Sequence, residues 1–322
     1  MSVTFIVGAT SLGIVFLYGC LGEIIMEKAG HLNLGLPGVM CMGTAGGCTG
    51  VSLYMGMIAD KSNPSYLLLL LFALAFCFLY AGFGGLIYSF FTVSLRCNQN
   101  ITGLALTTFG TGFTQLIMDT AVDKTYFREA ARVISQSVPF AKDLGGIGEI
   151  IFSHGILFYI AIALAIAASY VLKRTKVGLY LRAVGENPAT ADAAGINVTA
   201  YKYVAVLAGS AIAGVGGFFY VMDFLQGSFE TASTIEAFGW LSIALVIFTL
   251  WKPDLSIIGS FVFGALYLFS VSASDISFED MILIKITPYV VTVLVLIATS
   301  IPGKKSLQAP AALGTTYFRE ER

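Results

Sequence analysis

Charge is what this sequence has least of. Only 11% of its 322 residues are Asp, Glu, Lys or Arg, against about 25% in a soluble domain. A soluble protein of this length needs a charged surface, and this chain has too few charges to cover itself in water. Histidine is nearly absent: His31 and His154 stand far apart and outside any H-E-x-x-H pattern, so no zinc site is indicated. No G-x-x-x-x-G-K-[ST] loop occurs, so the chain does not hold ATP phosphates in the P-loop manner; the run Gly43 to Gly50 is glycine-rich, but no lysine follows it. No G-x-S-x-G elbow is present. Cys20, Cys41, Cys48, Cys77 and Cys97 are odd in number and form no C-x-x-C pair, which argues against a disulfide framework and for small apolar packing residues. The first apolar run has no Lys or Arg before it. It therefore lacks the basic flank of a signal peptide and reads as a retained helix. A net charge of -1 gives no polyelectrolyte character for nucleic acid.

What the chain does have is apolar surface: 57% of residues are hydrophobic and the mean hydropathy is +0.84. Lipid is then the natural solvent. Runs of about 20 mostly apolar residues mark membrane-spanning helices, and nine are expected, with eight to ten as the range. They fall at 4–24, 36–58, 66–92, 99–118, 152–172, 201–224, 237–251, 255–273 and 284–301. The seventh is short for a full span, and the glycine-rich second is a candidate for a broken or re-entrant segment. The fold class is thus an all-α, polytopic membrane bundle over 1–302, followed by a short tail over 303–322 that contains Lys304, Lys305 and Pro310 and reads as exposed. One set of connections holds twelve Lys and Arg residues, from Lys28 and Arg96 through the loop 173–200 to the tail, and the other set holds six. The richer side faces the cytoplasm, which puts the N-terminus outside and the C-terminus inside. Gly43 with Gly47, Gly46 with Gly50, and the row Gly209, Ala213, Gly217 recur at four-residue spacing, a pattern that lets helix backbones approach closely.

Glu23, Asp223, Glu236 and Lys285 all lie near expected span ends, and no Asp, Glu or Lys sits clearly mid-helix. Ionisable groups inside a membrane usually mark ion relays. Their scarcity argues against a proton-driven carrier and against an intramembrane enzyme, and implies that any energy for transport enters from elsewhere.

The stretch GLYLRAVGENPATADAAGIN at 178–197 is the most informative. Asn187 followed by Pro188 is a helix start, with Asn at the N-cap and Pro in the first turn. Ala189 to Ala194 favour helix, and Gly195 is a C-terminal stop. A helix of about two turns, roughly 10 Å long, is expected there on the basic side. Its small faces, with Glu186, Asp192 and Arg182 nearby, suit either close mechanical contact with a cytoplasmic partner or an ordinary connector between spans.

That stretch resembles the coupling-loop signature of permease subunits of bacterial ABC importers, in the group serving branched-chain amino acids, simple sugars and nucleosides. Three further segments resemble the same family in order: GEIIMEKAGHLNLGLPGVM at 22–40, NQNITGLALTTFGTG at 98–112 and FGWLSIALVIFTLWKPDLSIIGSFVFGAL at 238–266. Pro37 departs from the family's usual charged or small residue. The wording GENPATADAAGINV is most similar to nucleoside-type members.

The resemblance implies a transport subunit that is not itself an enzyme and carries no cofactor; ATP and Mg would be bound by a separate ABC ATPase subunit. Further implied partners are a second homologous permease or a second copy of this chain, and an external binding protein. The implied setting is the bacterial cytoplasmic membrane. Arg182, Gly185, Glu186, Asn187, Pro188, Ala191, Asp192 and Gly195 would couple the ATPase to the membrane helices. Residues suited to a ribose and a base are Asn98, Asn100, Thr107, Thr108, Phe109, Thr111, Phe113 and Gln115, with Trp240 and Ser242 as a second wall; their competing reading is interhelical hydrogen bonding and lipid contact. A nucleoside is the expected solute, with a ribose- or galactose-like sugar or riboflavin as alternatives of the same kind. An ion-coupled carrier is the alternative of a different kind.

Overall fold

The computed structural model describes residues 3–61, 63–137, 152–272 and 308–318, with single helical positions at 148 and 150 and between 283 and 297. Eleven helices run through these segments: α1 (Val3–Lys28), α2 (Leu36–Met57), α3 (Tyr66–Ser94), α4 (Gln99–Thr120), α5 (Phe127–Ile134), α6 (Ile156–Arg174), α7 (Lys176–Glu186), α8 (Pro188–Ala193), α9 (Val198–Phe224), α10 (Ala232–Phe248) and α11 (Pro253–Ser272). No strand occurs among the described residues. Eight of the nine expected spans correspond to helices here. The expected run 284–301 lies largely outside the described residues, so the count of nine stands as an expectation. Four helices, α1, α3, α6 and α9, are both long and apolar enough to cross a membrane.

Burial sorts the helices. α1 and α9 have 61% and 72% of their most apolar window buried, whereas α3 and α6 have 28%, so the first pair forms the inside of the bundle and the second its lipid-facing wall. α1 packs on α9, α11 and α10, and α2 packs on α3, α9 and α4. The glycine rows explain why these helices lie so close. A Cβ on Gly22 would come 2.9 Å from Ala213 Cβ, and one on Gly214 would come 3.1 Å from Gly43 Cα. Lipid offers no hydrophobic drive between helices, so such backbone contact supplies the dispersion energy instead.

α2 is one unbroken helix of 22 residues, about 33 Å at 1.5 Å per residue. Its glycines serve packing rather than breakage. α10 begins at Ala232, earlier than the expected 237, because Thr231 caps it through a bond from Ser233 N at 3.0 Å. Its polar first turn hid the start from a hydropathy reading. α3 and α9 each finish on a π turn, Phe90–Ser94 and Tyr220–Phe224. Each turn is closed by a bond spanning five residues, Leu95 N to Phe90 O and Leu225 N to Tyr220 O. A left-handed residue follows each, Arg96 at φ 57° and Gln226 at φ 50°.

Two expectations need correction. The membrane helices do hold buried ionisable side chains: Glu23, Glu27, Lys202 and Asp223 are 0%, 2%, 5% and 7% exposed. Nearness to a span end said nothing of facing, and α1 and α9 are the most buried of the long apolar helices. The tail is also not simply exposed. Residues 308–318 turn back against α7, α8 and the loop after α1, with Pro310 buried. Backbone bonds carry part of this contact, and bonds that involve the side chains of Tyr317, Asp192 and Gln99 carry the rest.

Candidate functional site

The short helix expected at 187–195 is present as α8. Asn187 is extended (φ -154°, ψ 94°) and its side-chain oxygen accepts from Thr190 N at 3.0 Å. Pro188 occupies the first position, where its missing N–H costs nothing. Gly195 ends the helix at φ 82°, a conformation that penalises any Cβ. Ala191, Val184 and Val198 form a small core of their own beside Tyr317, so α8 is a knob with a packed inner side. Asp192 is half-buried and accepts from Tyr317 Oη at 2.8 Å. Glu186 is exposed and accepts from Ala311 N at 3.4 Å.

α8 is not alone in its loop. α7 precedes it, capped by Thr175 through Gly178 N at 3.1 Å. Arg182 and Gly185 belong to α7 rather than to a linker, and Arg182 Nε donates to Gly178 O within that helix at 3.3 Å. Gly185 is the contact point with α1: a Cβ there would lie 3.0 Å from Lys28 C and 3.2 Å from Gly30 N. A threonine at position 175 is the signal in the sequence that marks the start of α7.

The candidate wall on α4 divides. Asn98 is the helix N-cap and accepts from Asn100 N and Ile101 N at 3.0 and 3.1 Å. Asn100 and Thr108 are exposed, and Thr108 donates back to Leu104 O at 3.3 Å. Phe109 faces outward, where with Ile87, Phe91 and Ile101 it lines an apolar groove of about 450 Å³. Phe113 packs on Phe109 at 5.8 Å and on Tyr80 at 5.7 Å. Thr107 donates to Leu34 O at 2.8 Å.

Thr111 and Gln115 meet α10. Thr111 Oγ1 lies 3.1 Å from Glu236 Oε2, and Gln115 Oε1 accepts from Ala232 N at 3.3 Å. Glu236 was not among the expected site residues, since only the three-dimensional pairing reveals it. Thr111, Gln115 and Glu236 are the polar meeting point of α4 and α10. Ser242 is fully buried against α1, where a Cβ on Gly19 would approach its own Cβ to 2.6 Å, and Trp240 is half-buried on α10.

A second polar cluster sits between the α8 end and the bundle. Asn33 N donates to Glu23 Oε1 at 3.0 Å, and Trp251 Nε1 donates to Glu27 Oε2. Gln99 is 2% exposed and acts as a hub: its Oε1 accepts from Leu32 N at 2.9 Å and its Nε2 donates to Thr315 O at 3.2 Å. His31 is fully buried with neither ring nitrogen hydrogen-bonded. Burial, assisted by the Lys202 ammonium, holds it down to about 3, so it is neutral at physiological pH. The described residues contain no group of three His, Cys, Asp or Glu side chains arranged to hold a metal ion.

Residues 5–300 match the branched-chain amino acid transport system / permease component family. The chain is 31% identical over 95% of its length to the nucleoside ABC transporter permease protein NupC of Lactococcus lactis, of which 93% is covered. It is 30% identical over 94% of its length to the guanosine ABC transporter permease protein NupQ of Bacillus subtilis, with 92% covered. It is 29% identical over 82% of its length to TsgC13 of Haloferax volcanii, a protein named as a glucose ABC transporter permease, with 75% covered. With the match running through nearly every span, the chain belongs to the branched-chain amino acid transport system / permease component family and is a membrane permease of an ABC transporter.

Proposed function

We propose that this chain is the membrane subunit of an ATP-driven importer for a nucleoside, in the bacterial cytoplasmic membrane with its C-terminus inside. The observation that carries the reading is α8: a capped, small-sided knob at one end of the bundle, in a chain of the ABC permease family. In this reading α8 seats in a cleft of a separate ATPase, which binds ATP and Mg, and nucleotide-driven closure moves α8 with α7 and α9. A second permease, homologous or identical, completes the pathway. An external binding protein delivers solute to the opposite end. The similarity to permeases named for nucleosides and guanosine supports the solute. So does the meeting of Thr111, Gln115 and Glu236 across α4 and α10, where hydroxyl, amide and carboxylate groups suit ribose hydroxyls and base edges.

Calorimetry on the cognate binding protein against nucleosides, simple sugars, flavins and amino acids tests the solute. Tight binding of guanosine or uridine is expected. A protein that binds ribose or glucose and no nucleoside refutes it in favour of the sugar reading, for which the likeness to TsgC13 speaks. Proteoliposomes holding this chain and an ion gradient, with no ATPase, test the carrier alternative. No uptake is expected from them.

A further inference from the structure

The described part of the tail, 308–318, ties three separate regions together at the α8 end. It reaches the α7–α8 region through Ala312 N to Gly185 O at 3.0 Å and Tyr317 Oη to Asp192 Oδ2 at 2.8 Å. It reaches the loop after α1 through Gly314 N to Gly30 O at 3.2 Å. It reaches the turn between α3 and α4 through Gln99 Nε2 to Thr315 O at 3.2 Å and through Phe318, whose ring lies 4.9 Å from the Arg96 guanidinium. α4 itself packs chiefly on α2, with smaller contacts to α3 and α10. Its first turn therefore meets the coupling region through the tail and through the loop that Gln99 also holds.

From these contacts we infer that residues 308–318 are a strap that transmits displacement of α8 to α4, with Tyr317 positioning α8 and Gln99 receiving the displacement. The physical reason is stiffness. α8 is six residues long, and a helix that short has little stability of its own. Joined to the bundle only through α7 and α9, it would rock on its own connections when pushed. The strap adds a third attachment, with Tyr317 packed against the small core that Val184, Ala191 and Val198 form. It leads to the helix that carries Thr107, Thr111 and Gln115, rather than to the lipid-facing wall. Gly30 and Gly314, at φ 83° and 75°, place the two backbones where the carbonyl of one meets the amide of the other, a register that only glycine adopts freely.

This inference rests on the coupling reading of α8, and the test separates the two. The full transporter is reconstituted in liposomes, with guanosine uptake and ATP hydrolysis measured together. Tyr317→Phe is expected to keep ATP hydrolysis within about twofold of wild type. It should lower the guanosine moved per ATP by roughly three- to tenfold, the range for one net hydrogen bond. A chain ending at Gln308 should fall further. A readout that needs no transported solute runs in parallel: maleimide labelling of Thr111→Cys in a Cys97→Ser background, with and without ATP and vanadate. Wild type should show a nucleotide-dependent change in labelling that Tyr317→Phe diminishes. If wild type moves no guanosine while its labelling still responds to nucleotide, the solute reading fails and the strap is decided by labelling alone. Wild-type ratios and labelling in both Tyr317→Phe and the shortened chain overturn the strap. So does a shortened chain that loses its ATPase, because the segment would then serve assembly rather than transmission.

Discussion

Two glycines on α4, two residues apart, should respond in opposite ways to the same substitution. A Cβ on Gly110 would lie 2.6 Å from Gly38 C and 2.7 Å from Gly38 Cα. Ordinary carbon–carbon contact is about 3.5–4.0 Å, so α4 and α2 must part by roughly 1 Å. The obstacle is backbone, which has no rotamer to change. Overpacking of this kind costs about 1–3 kcal/mol, and the upper end applies because Thr107, one turn away, also bonds across this seam to Leu34 O. Gly112 has no atom within 4 Å of its would-be Cβ. Ala there gains up to about 1 kcal/mol of helix propensity. That gain is common to both sites, so the expected gap between Gly110→Ala and Gly112→Ala is the overpacking cost, about 1–3 kcal/mol. Thermal unfolding of the purified protein in detergent, followed by tryptophan fluorescence, measures it. Equal midpoints for the two variants, or greater damage from Gly112→Ala, would refute the backbone-contact account of this seam.

Other consequences are narrower. Asn187→Ala removes the bond to Thr190 N and should destabilise α8 by about 1 kcal/mol, read as reduced ATPase capture at unchanged membrane insertion. Gly195→Leu meets open space but a left-handed backbone, so insertion should be normal while uptake per ATP falls; normal uptake would sink the assignment of α8 to coupling. His31 is held near 3 in the fold against about 6.5 unfolded. The unfolded chain then binds the proton first as pH falls. The His31 contribution to stability should be constant above about pH 7 and decline from about 6.5 toward 3, a decline that His31→Phe should remove when unfolding of the two proteins is compared across pH 7 to 4. Thr111→Val keeps the helix but loses the bond to Glu236, and the nucleoside reading expects a larger loss of uptake than of thermal stability.

The spans and α8 were legible in the sequence for one reason: both are set by local chemistry. Lipid demands length and apolarity, and a cap needs only Asn187, Pro188 and Gly195 in order. The same local logic applies to α7 through Thr175. What stayed hidden depends on which way a residue faces. Glu23 and Glu27 look like ordinary interfacial acids until α1 is seen to be central. Gln99 looks like a neighbour of Asn98 and Asn100, yet it alone of the three is buried and bridging, while Asn98 is a cap. Thr111 stands out in the sequence for its hydroxyl, but its partner Glu236 lies 125 residues away on another helix. The packing of the tail was illegible because its contacts, backbone and side chain alike, join residues far apart in the chain.

The π turns that close α3 and α9 have a bearing on how chain length varies among relatives. A π turn is an α-helix holding one surplus residue. Loss of one residue from 90–94 or 220–224 lets the helix close with its ordinary spacing, while the body of the span stays in register. Only residues of the turn itself change their facing, because the surplus residue is what the turn absorbs. Single-residue gaps in otherwise ungapped spans should therefore gather at these two places. At the second, such a gap would swing the buried Asp223, whose Oδ1 lies 3.5 Å from Ser11 Oγ on α1, to another side of its helix. A relative shortened there should have changed its counterparts of both residues together.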